Sequence, residues 1–139
     1  VKKKNIIAQI LPVSFAFHSH HIQPAEQGYC DYLRSFAYKR PDIPYLSSVT
    51  GTFIDNAEVF AADYFWDVCR KPILIKKAVE YNETRGSFFY LDCGPFGTMT
   101  NLIKQNLDPS SMSRTQALLS PFGKDVSTIT KVAQDIKNK

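Results

Sequence analysis

The sequence of 139 residues predicts an α/β fold in which a parallel sheet carries helices on its faces. Stretches with strand character alternate with stretches of helical periodicity, and this alternation favours a sheet covered by helices. The run from Phe88 to Asp92 is almost wholly apolar and lies between Gly86 and Gly94, which is typical of a buried parallel strand.

The first half of the chain begins with an extended segment, residues 5–17, because every second residue is apolar from Val13 to Phe17. Pro12 predicts a bend within this segment. A helix follows, because Pro24 suits a first turn and the apolar residues after it recur at three and four positions. Shorter signals predict the elements that follow. The helix ends at Pro41 and Pro44, and residues 45–49 form a strand. The chain then turns at Gly51, residues 53–54 are extended, and residues 58–66 form a helix.

In the second half, Pro72 begins an element whose apolar residues fit a helix that Gly86 closes. Pro95 and Gly97 predict a tight turn between the strand 88–92 and a helix 99–106. Asp125 is a suitable N-cap for a final helix with apolar residues at helical spacing. A loop at 109–113 and a last strand at 117–119 are expected between these two helices.

Charge and cysteine content exclude several classes of protein. Lys and Arg number 17 and Asp and Glu 13, a net charge of +4, and the positive residues form small groups instead of a stripe, so we expect no nucleic-acid binding. A mildly positive surface suits an acidic protein partner or a phosphorylated ligand. No apolar run approaches the ~20 residues of a membrane span, so no membrane association is expected. The three widely spaced cysteines fit no disulfide framework or zinc motif and favour the cytoplasm.

All three histidines lie within four residues, His18, His20 and His21, and three interpretations remain open. A metal site is one, since His18 and His20 would share a face of a continuing strand, but no third ligand stands at motif spacing. A polar cluster at a strand end is another. The last is a general base at the carboxyl end of a strand, where α/β sheets place reactive groups.

A histidine that acts as a base needs a nucleophile within hydrogen-bond reach. The nucleophile elbow G-x-S-x-G does not occur in the 139 residues. Ser19 is adjacent to His18, and neighbouring side chains of a strand point to opposite faces. The sequence therefore holds a candidate base without a recognisable nucleophile.

Residues 11–24, L-P-V-S-F-A-F-H-S-H-H-I-Q-P, closely resemble the histidine motif of malonyl-CoA:acyl carrier protein transacylases and polyketide synthase acyltransferase domains. The resemblance continues in order from Ala8 to about Leu107. Its further segments are P-Y-L-S-S-V-T-G at 44–51, the aromatic residues 64–66, R-K-P at 70–72 and D-C-G-P at 92–95, where the family has E-x-G-P.

The resemblance implies that residues 13–139 form the C-terminal half of an α/β-hydrolase-like acyltransferase core. Residues 1–12 would end a small inserted ferredoxin-like subdomain as its last strand. It also implies that His18 is the general base for a serine that this sequence lacks. The parent would move a malonyl group from coenzyme A to the phosphopantetheine thiol of an acyl carrier protein, without a cofactor or metal. The partners would be the carrier protein and the N-terminal half, and this chain alone would be inactive.

The resemblance also assigns neighbouring residues. Phe17, next to the histidine, matches the pattern of malonyl selection, while Phe15 departs from the family and is expected to pack in the core. A backbone carbonyl near Val68 is expected to hold the ring of His18. Two alternatives remain: an acyl hydrolase of the same family that uses His18, and a non-catalytic module that docks an acidic carrier protein.

Overall fold

A computed structural model describes residues 13–54 and 60–137. The chain divides into two compact units. One comprises the ranges Val1–Arg40 and Asn56–Ile73, and the other comprises Pro41–Asp55 and Leu74–Lys139. The strand expected in residues 1–12 lies outside the described residues. No helix in the described ranges is both long and apolar enough to cross a membrane.

The first unit is helical. A 3₁₀ helix at His20–Ala25 leads into helix α1, Glu26–Leu33, and helix α2 spans Ala62–Arg70. Pro24 lies inside the 3₁₀ segment, so the α-helical hydrogen bonds begin only after it. The two α-helices meet through a small core. Its buried members are Cys30, Ala62 and Trp66, with Ile22, Tyr29 and Leu33 packed against them.

Helix α2 lies four residues later than the predicted helix 58–66, two residues of which are outside the described ranges. Its end is set by Pro72, because a residue before proline avoids the helical conformation. Lys71 accordingly has φ −84° and ψ 158° and leaves the helix in an extended conformation. The R-K-P segment is therefore the C-terminus of α2.

The extended segment predicted at residues 5–17 is wrong for its described part, residues 13–17. These residues form bends and a turn, and Val13 is 64% exposed. Alternating apolar residues form a strand only where a neighbouring strand supplies hydrogen bonds and a surface to cover them. Neither sheet formed by the described residues includes this segment.

The second unit opens with a hairpin of two short antiparallel strands, β1 Tyr45–Leu46 and β2 Phe53–Ile54. Gly51 turns the chain with φ +69°, a conformation that favours glycine. A side chain at this position would also meet that of Lys77, whose carbons lie 2.7 Å from an ideal Cβ. Lys77 belongs to helix α3, Ile75–Glu83, and its Nζ donates to the carbonyl of Thr50 at 2.8 Å.

Strand β3, Phe89–Asp92, pairs in parallel with β4, Arg114–Ala117, and helix α4, Thr98–Asn106, connects them. The parallel sheet with a helical crossover confirms the predicted fold class. Strand β4 begins three residues before the predicted 117–119, because its polar sequence R-T-Q-A carries no apolar signal. The predicted final helix is α5, Asp125–Lys137. All three cysteines are free thiols.

Candidate active site

His18 lies in a tight turn between the irregular residues 13–16 and the 3₁₀ helix. Its φ is +60°, and it is the one residue other than glycine with a positive φ among those described. This left-handed region is sparsely populated, although histidine enters it more often than most residues do. Such strain persists only where the surroundings hold the residue in place.

Two hydrogen bonds hold His18 against the C-terminus of α2. Its backbone N–H donates to the carbonyl of Cys69 at 2.8 Å, and its ring Nδ1 lies 2.8 Å from the carbonyl oxygen of Lys71. Since a carbonyl only accepts, Nδ1 must carry the proton in this bond. The neutral ring then has its lone pair on Nε2, which is the form that a general base requires.

The position of these carbonyls also matters electrostatically. The last carbonyls of a helix have no partner within the helix and carry a partial negative charge. The ring of His18 therefore lies beside the negative end of the α2 dipole.

The carbonyl that holds the ring was expected near Val68 and belongs to Lys71 instead. A carbonyl inside the helix at Val68 would point along the helix axis. Lys71 is extended because Pro72 follows it, and its carbonyl is therefore free to point sideways. The prediction is right in kind, a backbone carbonyl, and wrong in position.

A side-chain relay fastens the same helix end to the 3₁₀ helix. Arg70 lies between the two residues whose carbonyls hold His18, and its Nε donates to Oε1 of Gln23 at 3.0 Å. Gln23 in turn donates from Nε2 to the carboxylate of Glu26. The sequence did not predict this relay, although Gln23 and Arg70 both belong to the motifs that carry the resemblance. The relay holds the turn of His18 in register with the carbonyls that bind it.

Tyr29 supports the helix end from inside the unit. The thiol of Cys69 donates to its hydroxyl at 3.6 Å, and its ring packs 5.9 Å from that of Trp66. Burial raises the pKa of Tyr29 to about 12, so its hydroxyl stays neutral at physiological pH. Burial also raises the pKa of the Cys30 thiol. These groups act as packing beneath the turn.

The other two histidines do not share a strand face with His18, because the chain turns at His18 and enters a 3₁₀ helix at His20. Their rings instead contact each other, with centroids 3.9 Å apart and planes tilted by 39°. In residues 13–54 and 60–137, no group of three or more His, Cys, Asp or Glu side chains is arranged to hold a metal ion.

Ser19 is not available as a nucleophile. Its hydroxyl donates to the carbonyl of Ala16 at 2.7 Å and accepts the N–H of His21 at 3.3 Å, so it caps the turn. Phe17 is 54% exposed, and its ring meets that of Phe15 edge-on at 6.1 Å. The expectation that Phe15 packs in the core is wrong, because its side chain is 67% exposed. Both rings border the turn of His18 on the open surface.

In the second unit, the D-C-G-P segment has a structural role. The buried carboxylate of Asp92 accepts the backbone N–H groups of Gly94 and Thr100 at 2.8 and 2.9 Å. Gly97 opens α4 and has no side chain to cap it, so Asp92 satisfies an N-terminal amide of the helix in its place. The turn at residues 94–97 is thus a strand-to-helix connection, as predicted. The carboxylate of Asp92 accepts hydrogen bonds from the amides of this turn and of the helix that follows.

The proteins and solved structures that resemble this chain are acyltransferases or polyketide synthases. No family model matches the chain. The chain is 36% identical over 132 residues to the polyketide biosynthesis acyltransferase homolog PksD of Bacillus subtilis, covering 95% of this chain and 40% of that protein. It is 37% identical over 136 residues to the homolog BaeD of Bacillus velezensis, covering 98% of this chain and 41% of that protein.

Solved structures show the same fold. A loading acyltransferase of the avermectin modular polyketide synthase superposes with a TM-score of 0.82 at 21% identity, over 96% of this chain and 41% of that one. FabD from Acinetobacter baumannii gives 0.73 at 18% identity, over 96% and 41%. The predicted resemblance is confirmed. The chain is similar in sequence to the polyketide biosynthesis acyltransferase homologs of Bacillus and shares the fold of polyketide synthase acyltransferases and FabD, and it spans 40–41% of the length of the two Bacillus relatives.

Proposed function

We propose that this chain supplies the general base of a malonyl acyltransferase that acts in polyketide or fatty-acid biosynthesis. His18 would serve a serine contributed by a segment outside the present sequence, which has no G-x-S-x-G motif. The observation that carries the proposal is the bond from Nδ1–H of His18 to the Lys71 carbonyl, because it leaves Nε2 able to accept a proton.

The proposed reaction has two transfers. Nε2 takes the serine proton as the hydroxyl oxygen attacks the thioester carbonyl of malonyl-CoA, and the ring then returns the proton to the departing coenzyme A thiol. In the second transfer, Nε2 takes the proton of the phosphopantetheine thiol on an acyl carrier protein. The sulfur attacks the malonyl-serine ester, and the serine oxygen leaves with that proton. No cofactor takes part, and the ring of His18 is neutral before and after each transfer.

Phe17 is proposed to select malonyl over branched acyl groups, because it stands next to His18 and its exposed ring narrows the space for an α-methyl branch. Phe17→Ser, in a longer protein that joins this chain to the remaining acyltransferase segment, is expected to raise the ratio of methylmalonyl to malonyl transfer about tenfold. Competition between the two acyl-CoA substrates measures this ratio. Phe15→Ser is the matched control, since that ring is also exposed, and an equal change in both variants would contradict the assignment.

The test of the function uses a longer protein that joins this chain to the remaining acyltransferase segment. Incubation with malonyl-CoA followed by intact-mass measurement should show one malonyl adduct, which moves to a carrier protein when that is added. The 139-residue chain alone should show none. An adduct lost to water faster than to the carrier would indicate an acyl hydrolase. Absence of any adduct, with salt-sensitive binding to the carrier, would indicate a docking module.

A further inference from the structure

The hydrogen bonds around His18 close into a ring that passes through two side chains. The backbone N–H and the ring Nδ1–H of His18 donate to the carbonyls of Cys69 and Lys71, both at 2.8 Å. Arg70 lies between those two residues, and its Nε donates back to Oε1 of Gln23 at 3.0 Å, in the 3₁₀ helix that follows His18. The end of α2 is therefore tied to this segment both at His18 and five residues after it.

Charge fixes the orientation of the Gln23 amide. A guanidinium can only donate, so the amide oxygen faces Arg70, and the amide NH₂ group then faces the carboxylate of Glu26, which can only accept. Hydrogen bonds to charged groups are stronger than those between neutral groups. Rotating the amide by half a turn would place donor against donor and acceptor against acceptor. Gln23 is therefore held in one orientation between a cation and an anion.

The bond between the ring of His18 and Lys71 depends on how these two segments are placed. His18 has φ +60°, a conformation that persists only where the surroundings hold the residue. Which nitrogen of a neutral imidazole carries the proton is set by the hydrogen bonds of the ring. If the carbonyl of Lys71 moved away, Nδ1 would no longer be fixed as the donor. A proton on Nε2 would then block the nitrogen that has to accept one.

We propose that Gln23 and Arg70 are positioning residues, which hold the carbonyl of Lys71 against the ring of His18 and thereby keep Nε2 free to accept a proton. The inference deepens the proposed function and rests on it for the reaction in which the ring takes part. Both side chains act on that reaction through His18.

Nitrogen NMR of isotope-labelled histidine rings tests the inference without any substrate. It is applied to the longer protein at alkaline pH, where histidine rings are neutral. The signal of His18 is identified by its absence from His18→Ala. The ring should carry its proton on Nδ1 in the unchanged protein, and most of it on Nε2 in Arg70→Ala and in Gln23→Ala.

Arg34→Ala is the matched control for these variants. Arg34 also links two segments of the same unit, because it follows α1 and its guanidinium lies 3.6 Å from Asp63 in the first turn of α2. This link is at the end of α2 away from His18, so its loss should leave the ring proton on Nδ1. An equal shift in all three variants would mean that any loosening of this unit moves the ring, and the assignment would be wrong.

The rate of malonyl transfer gives a second readout. Arg70→Ala and Gln23→Ala should each slow adduct formation about tenfold, with little change in the malonyl-CoA concentration at half-maximal rate. The double variant should be no slower than either single one, because both break the same relay. Gln23→Glu combined with Glu26→Gln exchanges the amide and the carboxylate and keeps an acceptor for Arg70. This exchange should restore the rate to within about threefold of the unchanged protein.

Two further results would overturn the inference. One is a ring proton that stays on Nδ1 in both relay variants, and the other is losses of rate that add up in the double variant. If the unchanged longer protein forms no malonyl adduct, the proposed function fails by itself. The position of the ring proton then decides alone whether the relay positions His18.

Discussion

Replacing His18 with alanine in the longer acyltransferase is expected to slow formation of the malonyl adduct by about 10²–10⁴-fold. The serine would keep its position but lose the group that takes its proton, and a serine hydroxyl is a weak nucleophile without one. The loss should appear in the rate of adduct formation more than in the affinity for malonyl-CoA. Single-turnover intact-mass kinetics separate the two quantities.

His20→Ala is the matched control, because it removes the same ring two positions away on the exposed surface. Its rate should stay within about twofold of the unchanged protein. A normal adduct rate in the His18 variant, or equal losses in both variants, would show that the ring of His18 takes no proton in the reaction.

Asp92→Asn is expected to lower the free energy of unfolding of the chain by about 1.5–3 kcal/mol at neutral pH. The carboxylate is only 5% exposed and accepts backbone N–H groups from the turn and from the first turn of α4. An amide in its place offers one accepting oxygen instead of two and presents N–H donors to amides that also donate. Urea unfolding of both proteins measures the difference.

The pH dependence of this difference gives a second check. Burial alone would raise the pKa of Asp92, but hydrogen bonds from the backbone amides of Thr100, Gly94 and Met99 outweigh it and lower the pKa. A lowered pKa means that the carboxylate stabilises the fold above its unfolded pKa of about 3.9 and loses this effect as pH falls through the folded value. The gap between the two proteins should therefore narrow below about pH 4.

Asp108→Asn provides the matched control for the stability measurement. Asp108 also accepts the backbone N–H two residues ahead, from Ser110 at 2.8 Å, but it is exposed to solvent. Its replacement should change stability much less than that of Asp92. If the two substitutions had equal effects, the stabilisation would come from the local turn and not from the buried cap of α4.

Sequence periodicity predicted the second unit better than the first. Helix α4 and strand β3 were located within one residue, and helix α3 lies between the predicted limits Pro72 and Gly86, because Gly86, Pro95 and Gly97 mark the ends of these elements in the sequence itself. Strand β4 was displaced because its polar residues give no apolar signal. The alternation of apolar residues at 13–17 predicted a strand. Such alternation shows only that one face of an extended segment would be apolar, and a strand also requires a neighbouring strand to pair with.

The sequence predicted the main residue of the candidate site, but it did not predict the contacts that hold this residue in place. His18 was identified from the motif, and a backbone carbonyl was expected at its ring. The resemblance placed that carbonyl near Val68, whereas Lys71 supplies it, because Pro72 makes Lys71 extended and turns its carbonyl out of the helix. The bond between Gln23 and Arg70 joins residues 47 positions apart, and no local pattern encodes such a contact.

The left-handed backbone of His18 has an evolutionary consequence. A residue other than glycine in this region costs on the order of 1–3 kcal/mol, and an exposed side chain recovers little of that cost by packing. Selection on stability alone would therefore replace His18 with glycine or asparagine, which adopt the same backbone more readily. Under the proposed function, position 18 should be among the first of this turn to change in a gene copy that no longer needs a general base. The residue found there would then show whether proton transfer is still under selection.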